Sequence, residues 1–263
     1  RSTLFPYTTL FRSQPLHVPV IRSPAAPGAP GAPGAGSPVA APLRIGPIEV
    51  GSPVELAPMA GVTNASFRRL CRRYGESALP GPAPAADGPI TTPDGALSAP
   101  AGLYVTEMVT TRALVEGNDR TLAMVRPDPG ERVRSVQLYG VDPLIAGRAV
   151  RILVERDLAD HIDLNFGCPA PKVTRRGGGA ALPWKRDLLA AILRETVRSA
   201  EAAGRAARRE RRVPVTVKMR VGIDDEHETY LDAARAAADA GIAALALQDR
   251  KSTRLNSSHQ PLS

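Results

Sequence analysis

The sequence has few cysteines, few aromatic residues and no long apolar run, and each scarcity excludes a class of protein. Two cysteines, Cys71 and Cys168, are too few for a disulfide framework or, by themselves, for a zinc site. Their low number is typical of a reducing cytoplasm. Because no run of about 18 apolar residues is present, we predict no membrane span. The sequence also predicts no secretory signal, no metal and no obligate protein partner.

Lysine is scarce as well, although the net charge is +8. Only four lysines stand among 34 basic residues, so arginine carries most of the charge. Segments 1–13 and 249–263 together account for half of the net charge. An arginine bias beside abundant Ala, Gly and Pro also reflects codon composition, so charge alone does not establish an RNA partner.

Composition divides the chain into segments. Residues 1–42 are expected to form a disordered leader, because residues 14–42 consist largely of Pro, Ala and Gly. Segments 1–13 and 249–263 resemble translated adapter or vector sequence, and we expect the natural protein to continue beyond residue 248. A Pro/Gly/Ala-rich insertion at 77–101 is expected to be a mobile surface loop.

Between these segments, at 43–248, strand and helix patterns alternate, which predicts a parallel sheet. Strands are predicted at 54–61, 103–109, 132–140, 161–169, 214–222 and 242–248, after a hairpin that begins near residue 43. The helix at 63–75 is expected to bury Phe67, Leu70 and Cys71. The first strand is followed by APMAGVT without a G-x-G-x-x-G motif, which argues against a dinucleotide-binding doubly wound fold. We therefore predict an α/β fold, an incomplete (β/α)₈ TIM barrel with about six of its eight strands.

The segment from Asp163 to Pro169, DLNFGCP, is the most informative part of the sequence. Since side chains alternate along a strand, Asp163 and Asn165 are expected to face the barrel mouth, and Leu164 and Phe166 the helical layer. The glycine and proline that follow place Cys168 on a loop beside the mouth. A lone cysteine is more often a small buried apolar residue. That interpretation is kept for Cys71. The residues on either side of Cys168, by contrast, favour a chemical role for this cysteine.

Five motifs occur together in the order and spacing of one enzyme family: APMAGVT at 57–63, SVQLYG at 135–140, DLNFGCPAPKV at 163–173, RRGGGAAL at 175–182 and VTVKMRVG at 215–222. On these motifs the chain resembles the tRNA-dihydrouridine synthases and is most similar to their bacterial B branch. The resemblance covers residues 43–248, apart from the insertion at 77–101.

This resemblance implies FMN bound across the barrel mouth, reduced by NADPH, and used to reduce one uridine of tRNA. By the same resemblance, Pro58, Met59 and Ala60 line the flavin, and Gln137 offers its amide to the ring edge. Lys218 places a positive charge near the part of the ring where negative charge resides after reduction.

The resemblance further implies that Cys168 delivers a proton to C5 of uracil while hydride reaches C6. A thiol suits this role, since an ordinary thiol pKa of about 8.5 keeps the proton at neutral pH. Asn165 would orient the uracil ring. Three basic residues just past the cysteine loop, Lys172, Arg175 and Arg176, are candidates for phosphate contacts, and a solvated basic stretch is an equal alternative.

The chain departs from the family pattern after the sixth strand. Residues 248–251 stand where the family has His-x-Arg-Thr, and the seventh and eighth strands and a helical tRNA-binding domain are missing. We therefore expect the chain as it stands to bind FMN weakly. Three alternatives stay open: an FMN barrel dehydrogenase of a free pyrimidine, an RNA-binding protein without catalysis, and a fragment without function.

Overall fold

The structure, a computed structural model, describes residues 7–11, 42–81, 87–224 and 226–248. Its strands are β1 (Tyr7–Phe11), β2 (Leu43–Ile45), β3 (Ile48–Val50), β4 (Glu55–Leu56), β5 (Ile90–Thr91), β6 (Leu97–Ala99), β7 (Leu103–Thr110), β8 (Ser135–Tyr139), β9 (His161–Phe166), β10 (Val215–Arg220) and β11 (Ala244–Gln248). Its helices are α1 (Ala65–Ser77), α2 (Thr111–Val115), α3 (Asp119–Met124), α4 (Pro143–Glu155), α5 (Pro171–Thr174), α6 (Arg186–Ala206) and α7 (Tyr230–Asp239).

Six of these strands form a parallel sheet in the order β4, β7, β8, β9, β10 and β11, which is also their order along the chain. In a doubly wound sheet the strand order reverses at a switch point. In a barrel, each new strand is added beside the preceding one. The predicted TIM-barrel fold with six of eight strands is therefore confirmed within the described residues.

The barrel core lies between the sheet and the outer helices α4, α6 and α7. Leu164 and Phe166 of β9 point into this core and are almost completely buried. Asp163 and Asn165 bond to side chains on the opposite face. The predicted alternation along β9 is thus confirmed. Burial of each large apolar side chain in such a core contributes about 1.5–3 kcal/mol.

At one edge of the parallel sheet, β1 pairs antiparallel with β11, in a register that places Tyr7 opposite Gln248. The sequence did not predict a strand in this segment. The remainder of the expected disordered leader, residues 1–6 and 12–41, and the expected foreign tail at 249–263 lie outside the described residues. Within the described part of the chain, no helix is both long and apolar enough to cross a membrane.

A second, smaller sheet closes the amino-terminal end of the barrel. The predicted hairpin of β2 and β3 is present, and β6 and β5 extend it in the order β2, β3, β6, β5. Its apolar side chains pack against residues at the amino ends of barrel strands, such as Leu103 and Ala244.

The expectation of a loop throughout 77–101 was wrong, because β5 and β6 lie inside that segment. Leu97 and Ala99 alternate with an outward serine and are buried against the barrel. A turn at Thr92–Gly95 connects the two strands, with the N–H of Gly95 donating to the carbonyl of Thr92 at 2.9 Å. The insertion is thus anchored by a hairpin that buries two apolar side chains.

The predicted apolar face of α1 was also wrong. Leu70 is 50% exposed, and Phe67 and Cys71 are only half-buried. The buried positions of this helix are instead charged: Arg68, Arg72 and Glu76. They are buried because ion pairs join them to two acids and an arginine outside the helix, at distances of 2.6–2.7 Å, and Arg72 also pairs with Glu76 inside the helix at 2.9 Å. The buried face of α1 is therefore selected by charge pairing rather than by apolar periodicity.

Candidate active site

Three neighbouring strands carry polar side chains on the inner face of the barrel, from the middle of β8 and β9 and the amino end of β10 toward their carboxyl ends. Gln137 of β8 lies level with Asp163 of β9, and Asp163 lies level with Thr216 of β10. One layer nearer the carboxyl ends, Asn165 lies level with Lys218. Inward side chains of barrels stack in such layers. The mouth is therefore built by alternate positions of adjacent strands.

Asp163 is the buried anchor of this cluster. Its Oδ2 accepts a hydrogen bond from Nε2 of Gln137 at 2.7 Å, and its Oδ1 accepts one from the hydroxyl of Thr216 at 2.6 Å. Burial raises the pKa of Asp163, whereas these two hydrogen bonds and the charge of Lys218 lower it. Because two donors point at its oxygens, the carboxylate serves as an acceptor on both sides.

The amides of Gln137 and Asn165 continue this chain of hydrogen bonds. Gln137 is completely buried, and its Oε1 accepts from Nδ2 of Asn165 at 2.8 Å. The Oδ1 of Asn165 accepts from the backbone N–H groups of Cys168 at 2.9 Å and of Gly167 at 3.2 Å. Nδ2 of Asn165 also has a long contact of 3.5 Å with Sδ of Met108. Both ends of the Gln137 amide are therefore used inside the protein.

The loop that carries Cys168 is held from further directions. The carbonyl of Cys168 accepts from the N–H of Ala180 at 2.9 Å, and the carbonyl of Gly167 accepts from Nε of Arg220 at 2.7 Å. Gly179 has a φ of +56°, and a Cβ at this position would overlap the carbonyl oxygen of Cys168. Only glycine fits this close approach without strain. The backbone around the cysteine is thus fixed on both sides.

Lys218 brings a mostly buried ammonium to the same end of the barrel. Burial lowers its pKa, while the charges of Asp163 and Glu55 raise it. Its Nζ donates to Oε1 of Gln248 at 3.2 Å. Burial and the neighbouring Asp163 raise the pKa of Glu55 to about 8, whereas the charge of Lys218 lowers it. The half-buried Cys168 follows Asn165, which lies level with Lys218, so the thiol and the ammonium occupy the same end of the barrel.

The loop at 58–60 follows β4 at the rim of the mouth. The N–H of Met59 donates to the hydroxyl of Thr63 at 3.1 Å, and Met59 itself is 40% exposed. The N–H of Gly61 donates to Oε1 of Glu107 on the neighbouring strand β7. The turn is thereby tied to the barrel while its outer surface stays accessible.

Comparison with known proteins identifies the family. Residues 55–262 match the model of a family described as dihydrouridine synthase, and this match continues into the segment that we expected to be foreign. The chain belongs to the dihydrouridine synthase family. The resemblance seen in the motifs is therefore confirmed.

Similar proteins carry matching names. Over 208 residues, the chain is 50% identical to a probable tRNA-dihydrouridine synthase of Mycobacterium tuberculosis (strain CDC 1551 / Oshkosh), covering 79% of this chain and 47% of that protein. Over 197 residues it is 51% identical to the probable tRNA-dihydrouridine synthase of Mycobacterium leprae, covering 74% and 49%. It is 34% identical over 208 residues to tRNA-dihydrouridine synthase B of Shewanella oneidensis, covering 79% and 53%. The chain spans about half the length of the curated relatives it matches.

In this member of the dihydrouridine synthase family, the three basic residues predicted to contact RNA lie on the surface beyond the cysteine loop. Lys172 belongs to α5, and Arg175 and Arg176 follow it. All three are exposed, and none forms an ion pair with an acid in the ranges that the structure describes. Their positions are compatible with phosphate contacts and equally with a solvated basic stretch.

Two residues of the site escaped the sequence analysis. Thr216 lies two residues before Lys218 on β10, so strand alternation sends both side chains to the same face. This alternation was the sequence signal that could have identified Thr216. Glu55 is an acid in the short strand β4, which was predicted over 54–61 but spans two residues. Across the described ranges, no group of three or more His, Cys, Asp and Glu side chains could hold a metal ion.

Proposed function

We propose that this chain carries the catalytic part of a tRNA-dihydrouridine synthase, which reduces the C5–C6 double bond of a uridine in tRNA. The observation that carries the proposal is the half-buried thiol of Cys168, on a loop that Asn165 holds at the open end of a parallel barrel, with Lys218 level with Asn165 on the next strand. Membership of the family and the names of the relatives support tRNA as the substrate.

The residues at the mouth fit a flavin mononucleotide. Lys218 offers a buried cation to a ring that gains negative charge on reduction, and the accessible loop of Pro58, Met59 and Ala60 offers a wall beside it. Gln137 has no exposed surface and its amide bonds to Asp163 and Asn165, so we propose that it would support the flavin site from inside the barrel. When bound and reduced by NADPH, the flavin supplies the hydride that reaches C6 of uracil.

Cys168 and Asn165 act on the uracil itself in this proposal. Cys168 holds the proton that C5 receives, and its fixed backbone keeps the thiol at the mouth. Asn165 has a second N–H whose partner is the distant sulfur of Met108, and this N–H can donate to a uracil carbonyl. Both residues are half-buried, so a base that enters from the mouth can contact them.

The RNA must present its uridine to the mouth. A stacked uridine cannot reach a site inside a barrel, so the enzyme must take the base out of its stack. We propose that Lys172, Arg175 and Arg176 contact phosphates beside the extruded nucleotide, since they lie just past the cysteine loop and are exposed. A reaction between tRNA and NADPH places the protein in the cytoplasm.

Replacement of Cys168 tests the proposal. The chain supplied with FMN, NADPH and tRNA is expected to form dihydrouridine, measured by mass spectrometry of the digested tRNA. Because general acid catalysis contributes about 10²–10⁴-fold, Cys168→Ala is expected to lower the rate by at least about 100-fold. Cys71→Ala, in the half-buried cysteine of α1, is the matched control and keeps the rate.

Two results would contradict the proposal: full activity of the Cys168→Ala variant, and no product from the unaltered chain at FMN concentrations high enough to offset the weak binding that we expect. A parallel reaction with free uracil separates the alternatives. Equal or faster reduction of the free base would make the chain a pyrimidine dehydrogenase instead.

A further inference from the structure

We infer that Asp163 is a positioning residue that sets the orientation of two successive side-chain amides and thereby fixes the loop of the proposed proton donor. The four residues Asp163, Gln137, Asn165 and Cys168 are joined in this order by hydrogen bonds, and we call them the amide relay. The inference rests on the proposed function for its consequence, which is delivery of a proton from a thiol on a fixed loop.

The orientation of each amide in the relay follows from the carboxylate at its start. A carboxylate only accepts hydrogen bonds, so Gln137 must turn its Nε2 toward Asp163, at 2.7 Å. Its Oε1 then faces Asn165, which must present Nδ2, at 2.8 Å. The remaining Oδ1 of Asn165 faces the N–H groups of Gly167 and Cys168 and accepts from both. Each step leaves a single arrangement in which every donor meets an acceptor.

Because the relay is buried, an amide in the wrong orientation cannot find a replacement partner in water. Gln137 is 0% and Asp163 is 3% exposed, so bulk water does not reach an amide that points the wrong way. A buried donor that faces another donor loses its hydrogen bond and its hydration together. The carboxylate therefore determines the polarity of the relay as far as the backbone N–H of Cys168.

A second branch leaves the same carboxylate in the opposite direction. The hydroxyl of Thr216 donates to Oδ1 of Asp163 and lies 2.8 Å from Nε2 of His161. Nδ1 of His161 lies 2.6 Å from the hydroxyl of Ser135. This branch is equally buried, but it does not touch Gln137 or the cysteine loop. It therefore supplies a control that perturbs Asp163 without perturbing the relay.

Asp163→Asn keeps the shape of the side chain and reverses the polarity of the relay. While the hydroxyl of Thr216 keeps donating to position 163, the new amide oxygen must face Thr216, so the new amide nitrogen faces Gln137, which must turn its oxygen toward it. Asn165 must then turn as well, so its Nδ2 faces the N–H groups of Gly167 and Cys168, donor against donor. The loop loses an acceptor and is released.

Adding Gln137→Glu to Asp163→Asn restores the original polarity with the same net charge. The carboxylate at position 137 accepts from the new amide at position 163 and from Nδ2 of Asn165, so Oδ1 of Asn165 returns to the loop. If Asp163 only occupied space in the interior, the second substitution would not restore the loop.

The experiment uses the chain itself, carrying Cys71→Ala so that Cys168 is the single thiol. Two quantities are measured: the hydrogen exchange rate of the Cys168 amide by NMR, and the rate of alkylation of the thiol by iodoacetamide. Asp163→Asn is expected to accelerate amide exchange by about tenfold or more and to change the alkylation rate. Thr216→Val is expected to leave both quantities within about twofold, since its hydrogen bond lies on the other oxygen. The double variant is expected to return both to the starting values.

The inference is overturned by unchanged exchange in Asp163→Asn, by an equal change in Thr216→Val, or by a double variant that stays perturbed. If Asp163→Asn does not fold, folding of the double variant supports the relay and its failure refutes it. None of these measurements uses flavin, NADPH or tRNA. The relay can therefore fail while the proposed activity stands, and the reverse.

Discussion

The buried charges of α1 allow a quantitative test of how the barrel is stabilised. Glu76 lies between two arginines: its Oε1 is 2.7 Å from Nε of Arg132, and its Oε2 is 2.9 Å from Nη1 of Arg72. The three side chains are 8%, 4% and 5% exposed, respectively. Glu76→Gln keeps the shape of the side chain but removes the charge and turns a donor toward a guanidinium.

The expected loss follows from what each arginine retains. Removing one partner of a buried ion pair costs about 3–5 kcal/mol. Arg72 keeps a contact with Asp87 at 2.7 Å, and Arg132 keeps a hydrogen bond to the carbonyl of Gly88 at 2.8 Å. We therefore expect the lower end of that range, about 3 kcal/mol. With an m-value of about 2–3 kcal/mol per molar urea, the unfolding midpoint should fall by about 1 M or more.

The assay is urea unfolding followed by circular dichroism at neutral pH. The matched control is Glu116→Gln, which breaks an exposed i,i+4 pair with Arg112 whose atoms are 3.6 Å apart. Exposed helix pairs of this kind contribute only about 0.3–0.5 kcal/mol. A midpoint for Glu76→Gln that falls no further than that of the control would refute the assignment of α1 to an ion-paired core.

Two further predictions concern pH and RNA. Burial lowers the pKa of His161 from 6.5 to about 4, so the unfolded chain binds this proton first as pH falls and stability declines between those values. The unaltered chain should therefore lose about 2 kcal/mol more than His161→Gln when urea unfolding is compared at pH 7 and pH 5. If Arg175 and Arg176 contact phosphates, replacing both by Ala should weaken tRNA binding and lower the salt slope by about 1–2. Replacing Arg148 and Arg151, exposed arginines of α4, removes the same charge and should leave that slope unchanged in a filter-binding titration.

The order of the barrel elements was predictable because each strand and helix carries its own local signal. The alternation of strand and helix patterns and the absence of a dinucleotide fingerprint together predicted a barrel, and the strand order agrees. The insertion was misjudged because its overall composition was weighed above its local turn chemistry. Thr-Pro-Asp-Gly at 92–95 is a turn sequence between two short apolar stretches, and this signal predicts a hairpin.

The face of α1 could not be predicted from periodicity. Arginine and glutamate are normally exposed, so a helix with Phe67, Leu70 and Cys71 on one side is expected to bury that side. The pairing that reverses this expectation comes from the segment before β8, more than 50 residues away in the chain. Such a partner is visible only after the fold has brought the two segments together.

In the candidate active site, too, contacts between distant segments could not be predicted from the sequence. The sequence places Asp163, Asn165 and Cys168 on one strand and its loop, and alternation correctly sends the first two to one face. It does not reveal that the register of β8 and β9 sets Gln137 level with Asp163, and this register decides the use of the Gln137 amide. A shift of two residues would bring Gln137 level with Asn165 and remove the carboxylate from the relay. The position of the thiol therefore depends on strand register as much as on the residues of the motif.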